Sequence, residues 1–504
     1  MKKLKTSAAE IKNSETIALG SIPVLDYDEF AAMNASLASG EGFHCCHLFA
    51  APDDRGARIF CIMADDTDGK LLVSSALTGR KGALKSLTAM HTSFHPFERA
   101  MAETSGIVYT DHPWPKPMRY PETADSRKPR MEDYPFFDIH GEDLHQVGVG
   151  PIHAGVIEPG HFRFICNGEK VLHLEIQLGY QHRGAEELFV KKKSMLERVM
   201  LAESVAGDTT AGNATAFALV YESLTGAKPD SHVMFCRTLA LELERMAIHT
   251  GDLAALSGDV AYQLGNAVFG RLRTPIINYT QSWSGNRLGR GQIRPGRVNF
   301  PFTEKLARSL EKILAEYSAD YTEMADTLFH MPGVQARFYR TGRLQKPDAL
   351  AMGLVGMPAR STGIKRDARH SHPHDYYTSL KHEPVVLHGG DVHARALLRD
   401  LEIRQSMNMV LGMIKNIPEQ GRQAEIETRK LKPASLCVSV VEGWRGELCH
   451  AALTDKKGEI SCYRIKDPSM HNWFALAMAL RGQEISDFPL CNKSFNLSYC
   501  GHDL

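Results

Sequence analysis

Apolar and polar positions change rhythm along this chain. In the first eighty residues, Cys45–Phe49, Ala57–Ala64 and Lys70–Ser75 are short, strand-like runs. They are parted by Pro52-Asp53-Asp54-Arg55-Gly56 and Asp65-Asp66-Thr67-Asp68-Gly69, spacers rich in residues that tolerate turn geometry. Gly82–His91 follows with helical spacing, which completes a small α+β module from about Ile22 to Met118. Between His112 and Phe136, prolines stand at positions 113, 115, 117, 121, 129 and 135. That density forbids regular helix or central strand and predicts an extended arm. Beyond Gly148, strand-like Phe162–Cys166 and Val171–Ile176 lead into long helical patterns. Leu239, Leu243 and Met246 recur at helical spacing with Glu242, Glu244 and Arg245 between them. Phe302–Asp326 and His393–Met413 predict further helices, and Val438–Val441 and Cys449–Leu453 late strands. The fold class is therefore α+β: a small N-terminal module, a Pro-rich arm and a large, mainly helical domain with peripheral β-strands.

Composition narrows the classes of function. The 504 residues exceed one ordinary domain, and 43% hydrophobic content supports a sizeable core. Lys+Arg and Asp+Glu both number 59, so nothing in the net charge points to nucleic acid. A neutral chain also associates readily, which favours life inside a complex. No run reaches the ~20 apolar residues of a membrane helix. The basic start Met1-Lys2-Lys3-Leu4-Lys5 lacks the apolar core of a secretory signal. The ten scattered cysteines suit reduced thiols, Cys491 and Cys500 among them.

Six motifs follow one another in the large domain. Gly150-Pro151-Ile152-His153 leads to Glu158-Pro159-Gly160-His161-Phe162-Arg163-Phe164 and then to His182-Arg183-Gly184-Ala185-Glu186-Glu187. Next come Arg237 with Glu242-Leu243-Glu244-Arg245, then Gly285-Asn286-Arg287 with Ile293-Arg294-Pro295-Gly296. Arg360-Ser361-Thr362-Gly363 through Asp367-Ala368-Arg369 and Glu442-Gly443-Trp444-Arg445-Gly446-Glu447 close the series. In this order they resemble the large subunit of group 4 membrane-bound nickel–iron hydrogenases and the D subunit of complex I (NADH–quinone oxidoreductase). Pro96-Phe97-Glu98-Arg99-Ala100-Met101 and the arm after it resemble the complex I C subunit. The resemblance implies a C–D fusion: a C-like α+β domain over residues 1–120, a Pro- and charge-rich linker over 121–147, and a hydrogenase-large-subunit-like or D-like domain over 148–504.

The family's metal ligands are missing. Its first motif, Val-Cys-Gly-x-Cys, aligns with Val205-Ala206-Gly207-Asp208-Thr209, and its closing Asp-Pro-Cys-x-x-Cys aligns with Asn496-Leu497-Ser498-Tyr499-Cys500-Gly501. The four cysteine positions therefore read Ala206, Thr209, Ser498 and Gly501, and none of these is the soft thiolate that nickel selects. The expected metal set is none. The resemblance assigns polar roles to His153, Glu186, Asp367, Arg369 and Arg445 around an inherited cavity lined by His153, Ala206, Thr209 and Ser498. His153 stands where complex I has its quinone-proximal histidine, but the partner tyrosine falls near Leu201, which has no hydroxyl. Each residue also has a structural reading: a turn histidine, a helix-start glutamate, an ion pair, and an arginine paired with Glu442.

Other clusters read as structural. His370-Ser371-His372-Pro373-His374 is expected as a solvated loop. His44-Cys45-Cys46-His47 lies on a strand, whose alternating faces keep the four from converging on one ion. There is no Gly-rich phosphate loop, so direct NAD binding is not supported. The functional expectation is a subunit of a membrane-associated oxidoreductase complex, peripheral on the cytoplasmic face of the membrane and not a competent hydrogenase by itself. It would couple electron transfer from a partner iron–sulfur subunit, with quinone as a candidate acceptor, to ion translocation without a nickel–iron centre. Its partners would be the small iron–sulfur subunit and antiporter-like and H-subunit-like membrane-arm subunits. This chain would bind no cofactor, its iron–sulfur cluster residing in the partner. The alternative is a non-catalytic scaffold or conformational-coupling subunit.

Overall fold

The computed structural model describes residues 7–79, 82–121, 130–153, 157–421, 424 and 426–504. Part of the Pro-rich arm, including Pro129, lies outside the described residues.

The N-terminal region supplies β1 (Ala9–Ile11), β2 (Thr16–Ala18), β3 (Val24–Leu25), β4 (Phe43–Asp53), β5 (Gly56–Asp65) and β6 (Lys70–Thr78). Strands run in the order β1-β6-β5-β4, with β3 also on β6. The two Asp/Gly spacers make the tight β4–β5 and β5–β6 connections. Helices α1 (Tyr27–Ala38) and α2 (His95–Ser105) cover one face through Phe30, Leu48, Ile59 and Phe97. The opposite face, with Phe49, Phe60 and Val73, packs on Val438, Val440 and Ala451 of the large domain. Burial on both faces is why residues 48–51 of β4 read as a continuous apolar run rather than an alternating one.

Gly82–His91 is not helical. It forms β7 (Leu84–Lys85), paired with β8 (Tyr109–Thr110), and then a turn. Glu98 on α2 captures this segment, accepting from Ser86 Oγ at 2.5 Å, Leu87 N at 2.8 Å and Thr88 N at 3.1 Å. Those tertiary bonds replace the helical ladder. The arm then lies along α2, where Arg99 donates to the carbonyls of Lys116 and Pro117, both at 2.7 Å. Arg119 Nε reaches the His502 carbonyl at 2.8 Å and ties the arm to the C-terminal tail.

The large domain opens with a three-stranded sheet of β9 (Leu144–Val149), β10 (His161–Asn167) and β11 (Lys170–Gln177). Helices α3 (Ala185–Lys191), α4 (Met195–Ala202) and α5 (Thr210–Thr225) follow, then α6 (Ser231–Asp259) and α7 (Gln263–Ser284). The short ladder of β12 (Ile293–Arg294) and β13 (Arg297–Val298) precedes α8 (Glu304–His330). Four short helices, α9–α12, lie at Pro332–Phe338, Lys346–Ala351, Gly356–Ser361 and Ala368–Ser371. The long α13 (Val392–Met413) completes a bundle with α6, α7 and α8, cored by Leu243, Met246, Phe269, Tyr321 and Ile403. Asp230, Thr303 and Asp391 cap α6, α8 and α13 with side-chain oxygens that accept from the first turn.

Strands β14 (Ser435–Glu442), β15 (Glu447–Thr454) and β16 (Ile460–Lys466) form the second large sheet, and β2 from the N-terminus pairs with β14. Every residue of β14 and β15 is buried, between α5 on one face and the N-terminal sheet on the other. This sheet lies inside the molecule, whereas β9–β11 carries exposed positions. Helices α14 (Ser469–Leu480), α15 (Phe488–Phe495) and α16 (Tyr499–Asp503) end the chain.

Candidate functional site

The loop before α5 and the C-terminal tail lie side by side, joined by two arginines. Arg445 sits in the tight β14–β15 turn, which Gly446 permits: its φ is +138°, and a Cβ there would lie 2.7 Å from Gly356 Cα. The Arg445 guanidinium grips Asp208 with both terminal nitrogens, at 2.6 and 2.7 Å. It also donates to Thr209 Oγ1 at 3.1 Å and to the Asn496 carbonyl at 2.6 Å. The guanidinium carbon lies 3.9 Å from the Trp444 ring centroid, and Trp444 Nε1 donates to the Asp208 carbonyl at 2.8 Å. From the outer side, Arg183 donates to the carbonyls of Ser204 at 2.7 Å, Val205 at 2.9 Å and Cys500 at 3.1 Å. The loop carrying Ala206 and Thr209 is thereby fastened to the tail carrying Ser498 and Gly501.

The donor chemistry here does not fit a nickel–iron centre. The four positions offer a methyl, two hydroxyls and a bare backbone. Thr209 Oγ1 is engaged by Arg445, and Ser498 Oγ caps α16 by accepting from Gly501 N at 2.9 Å. Space is missing as well: a Cβ on Gly501 would press into Asp467 Oδ2 and lie 2.8 Å from Ser498 Oγ. Burial raises the Asp467 carboxyl above its ordinary range, against the pull of Arg445. Burial also works against the charge on Asp208, yet the Arg445 guanidinium holds that carboxyl below its ordinary range.

His153 and Glu186 stand apart from this centre. His153 Nε2 is 3.1 Å from the Gly160 carbonyl of its own loop, its ring 6.1 Å from Phe162. It borders the tail only indirectly, because a Cβ on Gly160 would lie 2.6 Å from the Tyr499 ring. Glu186, in the first turn of α3, accepts from Ile465 N at 2.9 Å and Arg464 Nη1 at 3.3 Å, so it docks α3 on β16.

Asp367 and Arg369 belong to a larger buried array. Arg369 holds Asp367 at 2.7 Å and Glu242 at 3.2 Å. Arg360 bridges Glu402 at 2.6 Å and Glu442 at 2.7 Å, while His382 lies 3.2 Å from Asp367. Glu242, Arg245 and His249 project from one face of α6, and His249 is 3.0 Å from Glu402. Burial opposes charge on Glu402, yet Arg360 holds it well below the ordinary carboxylate range. Glu242 is pulled to about 2, burial being outweighed first by Arg369 and then by Arg245. His249 meets Trp444 edge-on at 6.1 Å, so the array abuts the Arg445 centre.

Sequence reasoning missed Asp208, Arg183, Arg360, Glu402 and Glu244 as site residues. Glu244 projects away from the array and accepts from Ala211 N at 2.7 Å and Gly212 N at 3.4 Å, at the start of α5. Burial lifts its carboxyl to about 8, with Asp208 adding to the effect. The Glu-Leu-Glu-Arg motif was visible, but neither charge nor spacing marks which glutamate titrates. The His370–His374 run is largely folded in rather than solvated: His372 and His374 are buried, and His372 Nε2 pairs with Asp66 at 3.1 Å.

Residues 263–436 match the family described as respiratory-chain NADH dehydrogenase, 49 kDa subunit. Hydrogenase-4 component G of Escherichia coli is 26% identical over 394 residues, covering 77% of this chain and 68% of that protein. The membrane-bound hydrogenase alpha subunit of Pyrococcus furiosus is 26% identical, covering 70% of this chain and 85% of the relative. The D subunit of the NADH-quinone oxidoreductase of Dehalococcoides mccartyi is 25% identical, with coverages of 68% and 93%. The chain is thus similar to hydrogenase components and to NADH-quinone oxidoreductase D subunits, and the 49 kDa family match falls on the stretch from α7 through α13.

Proposed function

We propose that this chain is a subunit of a membrane-associated oxidoreductase complex of the complex I and group 4 hydrogenase kind, and that it works there without a nickel–iron centre. The observation that carries the reading is the Asp467 carboxylate standing where a side chain at position 501 would go, beside an Arg445 guanidinium that binds both loop and tail. Electrons would enter through an iron–sulfur partner subunit, quinone being the acceptor class, and this chain would link that redox change to ion movement in membrane-arm partners. Among the described residues no helix is long and apolar enough to cross a membrane. That fits a peripheral position on the cytoplasmic face, beneath those partners.

The chain's own groups suit a coupling role. Arg445 pairs with Asp208 and feels Asp467, whose Oδ2 has no hydrogen-bond partner among the described residues. A change of charge beside the centre would move the guanidinium between the two carboxylates. Burial lifts the Glu244 carboxyl to about 8, which suits it to exchange a proton near neutral pH as Asp208 changes its pairing. The array from His249 to Asp367 supplies the rigid polar path away from the centre.

A second reading, a non-catalytic scaffold, is favoured by one observation: all three Arg445 nitrogens, and His153 Nε2, are already hydrogen-bonded within the chain. Metal analysis and a paramagnetic-resonance redox titration of the purified complex, with Arg445→Gln beside the parent, separate the cases. Loss of coupled turnover in an assembled Arg445→Gln complex supports coupling. An assembled parent that reduces no acceptor supports the scaffold. Stoichiometric nickel in the parent ends the reading without a nickel–iron centre.

A further inference from the structure

The His44-Cys45-Cys46-His47 strand divides as alternation demands, but one half of it meets a partner from the other sheet. His44 and Cys46 share a face, and the β4–β5 register shifts between Cys45 and His47, which leaves Cys46 outside the regular ladder. Glu447, the first residue of β15, comes up beneath them. His44 Nε2 lies 2.7 Å from Glu447 Oε2 and 3.8 Å from Cys46 Sγ, and one ligand atom from each of the three falls within 4.8 Å of the others. All three residues are buried.

We propose that His44, Cys46 and Glu447 form a buried site for a borderline-soft divalent cation, zinc foremost, that staples the N-terminal sheet to the sheet of β14–β16. An imidazole, a thiolate and a carboxylate are the mixed donors that zinc accepts. With Zn–N and Zn–O near ~2.0 Å and Zn–S near ~2.3 Å, a tetrahedral site needs donors about 3.3–3.6 Å apart. The histidine and glutamate atoms would part slightly and the sulfur would close in slightly.

The surroundings supply what such a site requires. His44 Nδ1 lies 3.1 Å from Asp66 Oδ2, the outer carboxylate that fixes a metal-bound histidine's tautomer. Lys466 holds the other oxygen of Glu447, Oε1, at 2.5 Å, so Oε2 is left to face the ion. In the ion-free arrangement His44 Nδ1 and Nε2 lie 3.1 and 2.7 Å from the Asp66 and Glu447 carboxylates. A bound cation would take Cys46 as the thiolate and His44 through Nε2, so metal uptake releases protons.

The test uses the full chain, stripped with a chelator and titrated with zinc, alongside Cys46→Ala, Asp66→Asn and a control, Cys166→Ser, at a distant cysteine. Expected are stoichiometric zinc uptake and a rise in Tm, both lost in Cys46→Ala and kept in the control. Asp66→Asn should weaken the affinity about 10–100-fold. Cobalt in the unmutated chain should give a thiolate-to-cobalt charge-transfer band and tetrahedral ligand-field absorption, a readout that needs no variant to fold. Absence of that band in the parent, or zinc uptake indifferent to Cys46→Ala, overturns the proposal and leaves the cluster as an ion-pair clasp.

Discussion

Replacing Arg445 by methionine removes the inner of the two arginine fastenings between loop and tail, and the structure sets the size of the loss. Asp208 loses two charge-assisted bonds, but its side chain is 38% exposed, so water can take over much of the role. The larger loss is the Asn496 carbonyl, which gives up a 2.6 Å bond from a cation, a change of about 1.5–3 kcal/mol. With Thr209 Oγ1 also losing a donor, the total comes to roughly 3 kcal/mol. A chain of 504 residues with several cores is expected to unfold in more than one step. The sharper assay is therefore amide exchange in residues 204–209 and 496–504. A loss of roughly 3 kcal/mol lowers protection about a hundredfold, at about 1.4 kcal/mol per factor of ten. Arg445→Lys keeps the charge but cannot serve Asp208 and Asn496 at once, so protection falls by an intermediate amount. Combining Arg445→Met with Asp208→Asn should recover no more than about 1 kcal/mol, as befits a half-solvated pair. If Arg445→Met changes tail exchange less than about fivefold, well under 1.4 kcal/mol, the guanidinium is not what joins the strips.

Three more outcomes follow from the buried acids and from the tail. Glu244 titrates higher in the folded chain, at about 8, so the fold binds more protons than the unfolded chain between about pH 4.3 and 8. Stability contributed by this group therefore falls as pH rises through that window, and Glu244→Gln flattens the pH profile of Tm between about pH 6 and 8. Its protonated carboxyl stretch, visible by infrared difference spectroscopy at pH 7, should vanish in the same variant. Glu242, at about 2, and Glu402 and Asp367, also held low, act in the opposite sense. Their contribution is complete above about pH 4.3 and is lost as pH falls toward 2; Arg360→Met should raise the midpoint of acid unfolding followed by circular dichroism. Gly501→Ala forces Asp467 aside and should cost about 1–3 kcal/mol, read as lower Tm and faster exchange in α16. An alanine tolerated there without cost would mean that the Asp467 carboxylate moves freely.

The long elements were legible because their patterns are local. The α8 and α13 segments announce themselves by spacing, and the three hairpin strands by their Asp/Gly spacers. Gly82–His91 misled because its fate is set by Glu98, a residue whose capture of Ser86 and Leu87 no periodicity reveals. The His370–His374 run misled similarly, since Asp66 lies 306 residues away from its partner His372. Within the site, the lost thiolates and Arg445 could be read from motif alignment. Asp467 could not: it sits in no motif, and its meaning lies in the space beside Gly501. Glu186 is the reverse case, a motif residue whose bonds go to Arg464 and Ile465 rather than to the Arg445 centre.

Charge balance explains how such a centre holds together with no thiolate in it. Asp208, Asp252 and Asp467 contribute three carboxyl groups around the tail. Arg445 faces Asp208 and Asp467, while Arg399 at 2.9 Å and Lys493 at 3.5 Å answer Asp252. Three acids meet three cations, and Asn496 stitches the groups together by donating to Asp252 at 2.7 Å while its carbonyl accepts from Arg445. An isolated buried acid would be costly, but here each acid has a cation beside it, although Asp467 Oδ2 has no hydrogen-bond partner among the described residues. Removing Arg445 therefore leaves Asp467 without its cation, whereas Asp252 keeps one of its two when either Arg399 or Lys493 is removed. The same logic separates coupling from scaffolding. A scaffold needs only that the set stay matched, whereas a coupling device needs Arg445 to exchange Asp208 for Asp467. Asp467→Asn removes that second partner while preserving the Arg445–Asp208 pair, so it should spare assembly and abolish coupled turnover if the exchange is the working step.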